Sequence, residues 1–465
     1  MSQTLHAVAT RKAVLRLVPL LMLAYFMSFI DRTNIGLAKT SLQTDIGIDA
    51  AAYGLGAGLF FISYALFEVP SNLILHRVGA RKWIARIAVT WGLISAAMVF
   101  VNNATTFYFL RFLLGAAEAG LYPGLMYIVT IWFAQRHRAT IVGLLLIASS
   151  FAFMVGNPLG GALMLLDGMG GLHGWQWLFL LEGLPTVLLG IFIFFKLPDS
   201  PDKASWLTPQ ESAAMIAEAS GEGAQSSSSH IDFKAGLTNP LILTLSAIWF
   251  LIQVATYGVA FFTPAVVEDL GISGSFTIGL VAGVVGIGAI AGVVVFPRLQ
   301  RRLHRDILLV TIAFIAAGAL SASFAAFSGA SSKMAILTFT MFFVVGVQPV
   351  IWSLVMERVS GRAAAGLLAY VNTIGLLGGF VGPYAFGLAE TATGTATSGI
   401  LILVATNVLC LLLVPVLARN KRRATEADSA AQAIDSAVST GDFSAPTPAT
   451  PAATAQADDS GVGSR

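Results

Sequence analysis

The chain has 465 residues, 56% of them hydrophobic and only 11% charged, with a formal net charge of +3. Globular proteins carry about 25% charged residues, so an ordinary soluble domain is excluded. The net charge says little, because placement matters more than the sum in a membrane protein. The single cysteine, Cys410, excludes a disulfide framework or a cysteine metal cluster and reads as a buried apolar side chain.

In chain order, a short basic segment (Arg11, Lys12, Arg16) leads straight into the first apolar block. No small-residue cleavage site follows, so the block reads as a retained helix rather than a signal peptide. Apolar blocks long enough to cross a bilayer lie at 14–38, 52–75, 83–101, 106–133, 140–166, 176–197, 240–266, 275–297, 307–328, 334–355, 363–388 and 397–418. Lipid admits only helices and closed barrels, and blocks of this length are helical. The expectation is an all-α polytopic membrane protein with twelve transmembrane helices in two six-helix halves.

Basic residues collect at the even connections: Arg77, Arg81, Lys82 and Arg86, then Arg136 and Arg138, Arg298 to Arg305, and Arg358 with Arg362. Arg419, Lys421, Arg422 and Arg423 follow the last block, whereas the odd connections hold only Lys39 and Lys333. Positive charge marks the cytoplasmic side, which places both termini there. The polar stretch 198–239, with Pro198-Asp199-Ser200-Pro201 and a Ser226–Ser229 run, separates a half at 1–197 from a half at 240–419. Residues 420–465 are rich in Ala, Thr, Ser and Pro without an apolar face and read as a disordered cytoplasmic tail. The halves echo each other at Arg138, Gly143 and Gly156 to Gly161 against Arg362, Gly366 and Gly378 to Pro383, as parallel repeats around a midplane solute site would.

The charges inside the apolar blocks are the functional clue. Asp31 and Arg32 lie in the first, Glu68 in the second, and Arg111 and Glu118 in the fourth. Each costs roughly 2.5–3.5 kcal/mol at membrane depth, and such residues face a polar interior or a solute path. Arg32 shares a stripe with Ser28 and Tyr25; Tyr64, Glu68 and Asn72 form a second, and Arg111 and Glu118 lie two turns apart on a third. In the second half Gln253 and Tyr257 are one turn apart. Gln348, Trp352 and Ser353 follow on the tenth helix, and Tyr370 and Asn372 on the eleventh.

The second connection, Asn72 to Lys82, resembles the loop motif of the major facilitator superfamily at Arg77, Gly79, Arg81 and Lys82, although His76 stands where that motif has an acid. Arg111-Phe112-Leu113-Leu114-Gly115-Ala116-Ala117-Glu118-Ala119-Gly120-Leu121-Tyr122-Pro123-Gly124 resembles the signature of its anion:cation symporter family. So do Ile30 to Gly36, Phe60 to Asn72, Gly174 to Gly183, and Asn372 with Gly378 to Pro383. The resemblance extends to bacterial permeases for tartrate, phthalate, 4-hydroxyphenylacetate and sugar acids. It implies that Arg32 grips a substrate carboxylate, that Asp31 and Glu118 serve proton coupling, and that Arg111 keeps Glu118 charged or adds field for the anion. A guanidinium offers a permanently charged planar fork to a carboxylate. Tyr64, Gln253, Tyr257, Trp352 and Asn372 complete the candidate substrate contacts, while Glu68 and Glu182 read as structural.

The resulting expectation is a proton-coupled importer of a hydroxylated or aromatic carboxylate, tartrate-like acids favoured. It acts in a bacterial inner membrane as a monomer, with lipid, a small organic acid and protons as partners, and with no cofactor, metal or nucleic acid. An exchanger or facilitator of the same fold, or a membrane anion sensor, are the alternatives. An enzyme is disfavoured because no nucleophile–His pair appears, and a pump because no nucleotide motif does.

Overall fold

The computed structural model describes residues 2–221, 237–358 and 364–440. These are helical throughout, with no strand among them. The first half comprises α1 (Ser2–Ile46), α2 (Ala50–Val78), α3 (Ala80–Ala97), α4 (Ala104–Glu118), α5 (Leu121–Trp132), α6 (Gln135–Leu163) and α7 (Gly174–Lys196). A short helix α8 (Pro209–Gly221) follows. The second half comprises α9 (Pro240–Asp269), α10 (Ser275–Leu303), α11 (Asp306–Ser323), α12 (Ala330–Gly346), α13 (Gln348–Arg358), α14 (Ala364–Thr393) and α15 (Gly399–Thr440). Twelve stretches are long and apolar enough to cross a membrane, with α4–α5 and α12–α13 each making one broken span.

Local chemistry sets the boundaries. Asp49 caps α2 through the Ala52 N–H at 2.7 Å, and Asn103 with Thr106 forms a capping box on α4. Asn239 caps α9 with Pro240 at its first position, where the missing N–H costs nothing. The α4–α5 break falls at Ala119 and Gly120, where Gly120 has φ +88°, a conformation that suits glycine. The break frees the Ala119 carbonyl inside the membrane, and Ser71 Oγ donates to it at 2.7 Å. That satisfies a backbone group that lipid leaves unpaired.

α1 packs on α6 and α7, α3 on α7, and α2 on α4; in the second half α9 packs on α14 and α10 on α12. The halves meet through α2 against α14, α6 against α10 and α1 against α9. At the end away from the basic connections the backbones touch. A Cβ on Gly161 would strike the Ser275 carbonyl, and one on Gly279 the Asn157 carbonyl. Such small-residue contacts are how membrane helices approach closely.

Several expectations change. The first helix begins at Ser2 rather than near 14 and runs 45 residues, well beyond the roughly 20 that a bilayer requires. The 106–133 and 334–355 blocks are broken rather than continuous, because Gly120 and the Gly346–Val347 junction interrupt them. Lys39 is not a connection residue. It lies inside α1, buried, with Nζ 2.6 Å from Glu390 of α14 and 3.0 Å from Gln43. The 198–239 stretch contains α8, which a Thr208–Glu211 capping exchange starts and Lys12 pins to α1 at 2.6 Å. The Ser226–Ser229 run, Arg362 and residues 441–465 lie outside the described residues. The described residues up to Ala418 form one compact unit, and those from Arg419 a second. The stretch from Asn420 to Thr440, expected as disordered, is helical. Its Ala, Glu, Arg and Lys content favours helix without an apolar face.

Candidate functional site

Arg32 and Asp31 are adjacent on α1, so their side chains leave the helix about 100° apart and meet different neighbours. Arg32 points to α4 and α9. Its Nε donates to Glu118 Oε1 at 3.1 Å and its Nη2 to the same oxygen, while Nη1 donates to the Tyr257 hydroxyl at 3.3 Å. Three rings close around the guanidinium, whose carbon sits 4.8 Å from the centroid of Phe29, 5.2 Å from Phe60 and 5.4 Å from Tyr64. Aromatic faces attract a cation more strongly where water is sparse. Arg32 is 7% exposed and Glu118 wholly buried. Glu118 Oε2 has no partner among the described residues.

Asp31 points instead to α3. Ser95 Oγ donates to Asp31 Oδ1, and Asn34 Nδ2 donates to the same oxygen at 3.4 Å. The indole of Trp91 lies beside this carboxyl.

Among the described residues Arg111 makes no hydrogen bond to Glu118, although its charge still acts on that carboxyl. Arg111 donates to the Ala57 carbonyl at 3.2 Å and lies 5.2 Å from the Phe60 ring, and its strongest charge neighbour is Asp31. Helical side chains lean toward the N-terminus. The guanidinium therefore reaches back along α4, away from Glu118 at that helix's last position.

Of the candidate substrate contacts, the structure brings Tyr64 and Tyr257 to Arg32 and leaves the others further off. Gln253 lies one turn from Tyr257 on α9 and is half-buried. Asn372 donates to Glu68 at 3.3 and 3.4 Å, joining α14 to α2. Trp352 packs edge-on against Trp249 at 5.2 Å. Gln348 donates to Thr256 at 3.2 Å. Ser28 donates to the Tyr25 carbonyl on its own helix and so contributes nothing to the Arg32 cluster.

In the loop motif, Gly79 has φ +97° and joins α2 to α3. Arg77 and Lys82 are exposed. The acid missing at His76 is supplied from elsewhere: Asp199 Oδ1 accepts from the Arg81 N–H at 2.9 Å, at the start of α3. A carboxylate there faces the positive end of the helix. The clue was the Pro-Asp-Ser-Pro stretch, which sequence reading used only as a boundary. Ser95, Trp91, Phe29 and Phe60 had no such signal, because serine and aromatic residues are ordinary in apolar helices. Among the described residues, no group of three or more His, Cys, Asp or Glu is placed to hold a metal.

Comparison with known proteins agrees with this architecture. The chain is 39% identical to the "Putative tartrate transporter" of Agrobacterium vitis, over 92% of its own length and 95% of that protein. It is 37% identical to the quinolone resistance transporter of Acinetobacter baumannii, over 84% and 91%. Its fold matches that of a crystallised D-xylose–proton symporter with TM-score 0.69 at 16% identity, over 86% of this chain and 97% of that one. Residues 21–383 match the family directly, and the chain belongs to the Major Facilitator Superfamily: a transporter, not an enzyme.

Proposed function

We propose that this transporter takes up a small hydroxylated carboxylate, tartrate-like, together with protons by alternating access. One observation carries the reading: Arg32 is held by two of its nitrogens on one oxygen of Glu118. A substrate carboxylate needs that same fork. Two carboxylates crowding one buried guanidinium repel each other, so the anion displaces Glu118 only when Glu118 takes up a proton. Anion and proton thereby occupy the site together and cross together. Tyr257 belongs to the second half, so a ligand on Arg32 bears on both halves at once, as rocking about a midplane site requires. Asp31 serves as a second proton-carrying acid. Gln253, Trp352 and Asn372 line the approach for hydroxyls after rearrangement. The basic even connections support a reading in which both termini face the cytoplasm of a bacterial inner membrane and the protein works as a monomer. The relative named for tartrate supports the substrate class. The relative named for quinolone resistance favours a second reading, export of a drug by the same fold.

Uptake into proteoliposomes, with a panel of hydroxylated and aromatic carboxylates and their amides, tests this. The expected result is accumulation of a hydroxylated acid under an inward proton gradient, with competition by acids and none by amides. Transport of a neutral sugar or an organic cation untouched by carboxylates overturns it, and outward movement of a fluoroquinolone selects the second reading.

A further inference from the structure

Glu182 was read from sequence as structural, and its surroundings argue otherwise. It sits in α7 at 4% exposure, and neither of its carboxyl oxygens has a hydrogen-bond partner among the described residues. The charged side chain acting on it is Asp31 of α1, and the polar one is Asn34, one turn further along α1. A Cβ on Gly160 of α6 would lie 3.7 Å from Glu182 Oε1. Among the described residues, the neighbouring elements bring no cation to it. α3 contributes Ser95 and Trp91, both beside Asp31, and the Arg111 guanidinium of α4 acts on Asp31.

The cluster has too many acceptors. Asp31 Oδ2, Asn34 Oδ1 and both oxygens of Glu182 are buried acceptors without a partner, and the unpaired donor beside them, Trp91 Nε1, serves Asp31 rather than Glu182; buried polar groups are normally paired. The Asn34 amide donates to Asp31 Oδ1, which leaves its own oxygen facing away from that carboxyl. Turning the amide over gives Glu182 a donor but sets the amide oxygen against Asp31 Oδ1, so one acceptor still lacks its donor. A single proton supplies it: a protonated Glu182 becomes a donor for Asn34 Oδ1, and only one of the two carboxyls then carries charge.

We propose that Glu182 and Asp31 form a proton-sharing carboxyl pair bridged by Asn34, lying behind the anion site, and that Glu182 holds the proton while Arg32 is paired with Glu118. When the O–H bond on Glu182 breaks, one forms on Asp31 and the charge of the pair is unchanged. Glu182 is thus a positioning residue for the proton, acting through Asp31. This rests on the proton-coupled reading above and adds a carboxyl to it.

The test compares wild type, Glu182→Gln, Glu182→Asp and Glu118→Gln in the same proteoliposomes, using radiolabelled tartrate. The quantity read is gradient-driven uptake divided by counterflow. Glu182→Gln is expected to lower the ratio at least about tenfold, and Glu182→Asp to return it to within about threefold of wild type, as a proton-carrying group would. A merely packing role predicts the reverse order, because Gln keeps the shape and Asp does not. An unchanged ratio in Glu182→Gln, or an Asp variant no better than Gln, overturns the proposal. If Glu182→Gln shows no counterflow, the pH profile of counterflow in Glu182→Asp decides: displaced from wild type supports the pair, and superimposable overturns it. A wild type without gradient-driven accumulation sinks the symport reading and this inference with it. A coupled wild type, with Glu118→Gln uncoupled and Glu182→Gln normal, sinks this inference alone.

Discussion

The two halves share a plan and divide the chemistry unequally. Among the described residues, the buried charged side chains of the first half are Asp31, Arg32, Lys39, Glu68, Arg111, Glu118 and Glu182; the second half buries Thr244, Ser246, Thr263, Ser321, Thr340, Thr406 and Asn407, and no charge. Most of the second half's hydroxyls donate to carbonyls of their own helices, as Ser246, Thr263 and Thr340 do. Such bonds settle a polar group without reaching a neighbour. The first half's charges, Glu182 apart, instead bind between helices. Ionic contacts thus gather in the first half, and the second half meets them with neutral groups such as Tyr257.

The sharpest way to break this contrast is Arg32→Lys. The ammonium keeps the charge and loses the planar fork that now spans Glu118 and Tyr257. Carboxylate affinity is expected to fall on the order of 100-fold, read by calorimetric titration of the purified protein with tartrate. Near wild-type affinity would mean that charge alone serves and the fork is unused.

Tyr257→Phe probes the neutral wall. It removes one 3.3 Å hydrogen bond to Arg32 and leaves the ring against Phe61 at 4.3 Å. A loss of about fivefold in affinity is expected, the size of one ordinary hydrogen bond of about 1 kcal/mol. An effect as large as that of Arg32→Lys would erase the distinction between the halves.

The smallest effect belongs to charge outside the membrane. Glu211 of α8 takes Lys12 Nζ at 2.6 and 2.9 Å and the Thr208 N–H at 2.9 Å. The Lys12 hydrogen bond, then the Thr208 backbone, holds its carboxyl below the ordinary range. A depressed carboxylate stabilises the folded form above its unfolded value, about pH 4.3, and loses that contribution as pH falls through the lower folded value. Hydrogen-exchange protection of α8 should therefore be flat from neutral pH to about pH 5 and decline only in stronger acid. Glu211→Gln should reduce it by about twofold at neutral pH, because Lys12 is partly exposed and such surface pairs contribute little. A decline already near pH 6 would place the titrating group elsewhere.

Much of this protein is legible without coordinates. The apolar block lengths determine twelve spans, because lipid permits few other solutions. The cost of charge in lipid picks out Arg32 and Glu118, since such residues do not persist there idly. Residue spacing also places Arg111 and Glu118 on one face, but it does not give their hydrogen-bond partners. Spacing along one helix says nothing of which neighbour a long side chain reaches, and Arg111 reaches back to Ala57 while Arg32 crosses from α1 to claim Glu118. The partners of Asp31 are beyond sequence for the same reason. Ser95 lies 64 residues away, and only the docking of α1 and α3 on α7 makes an ordinary serine into a ligand for a buried carboxylate. Glu182 completes the lesson. The sequence determines that a carboxyl lies in an apolar helix, but tertiary structure alone decides that no cation faces it, because an ion pair is a property of neighbouring helices rather than of either chain segment.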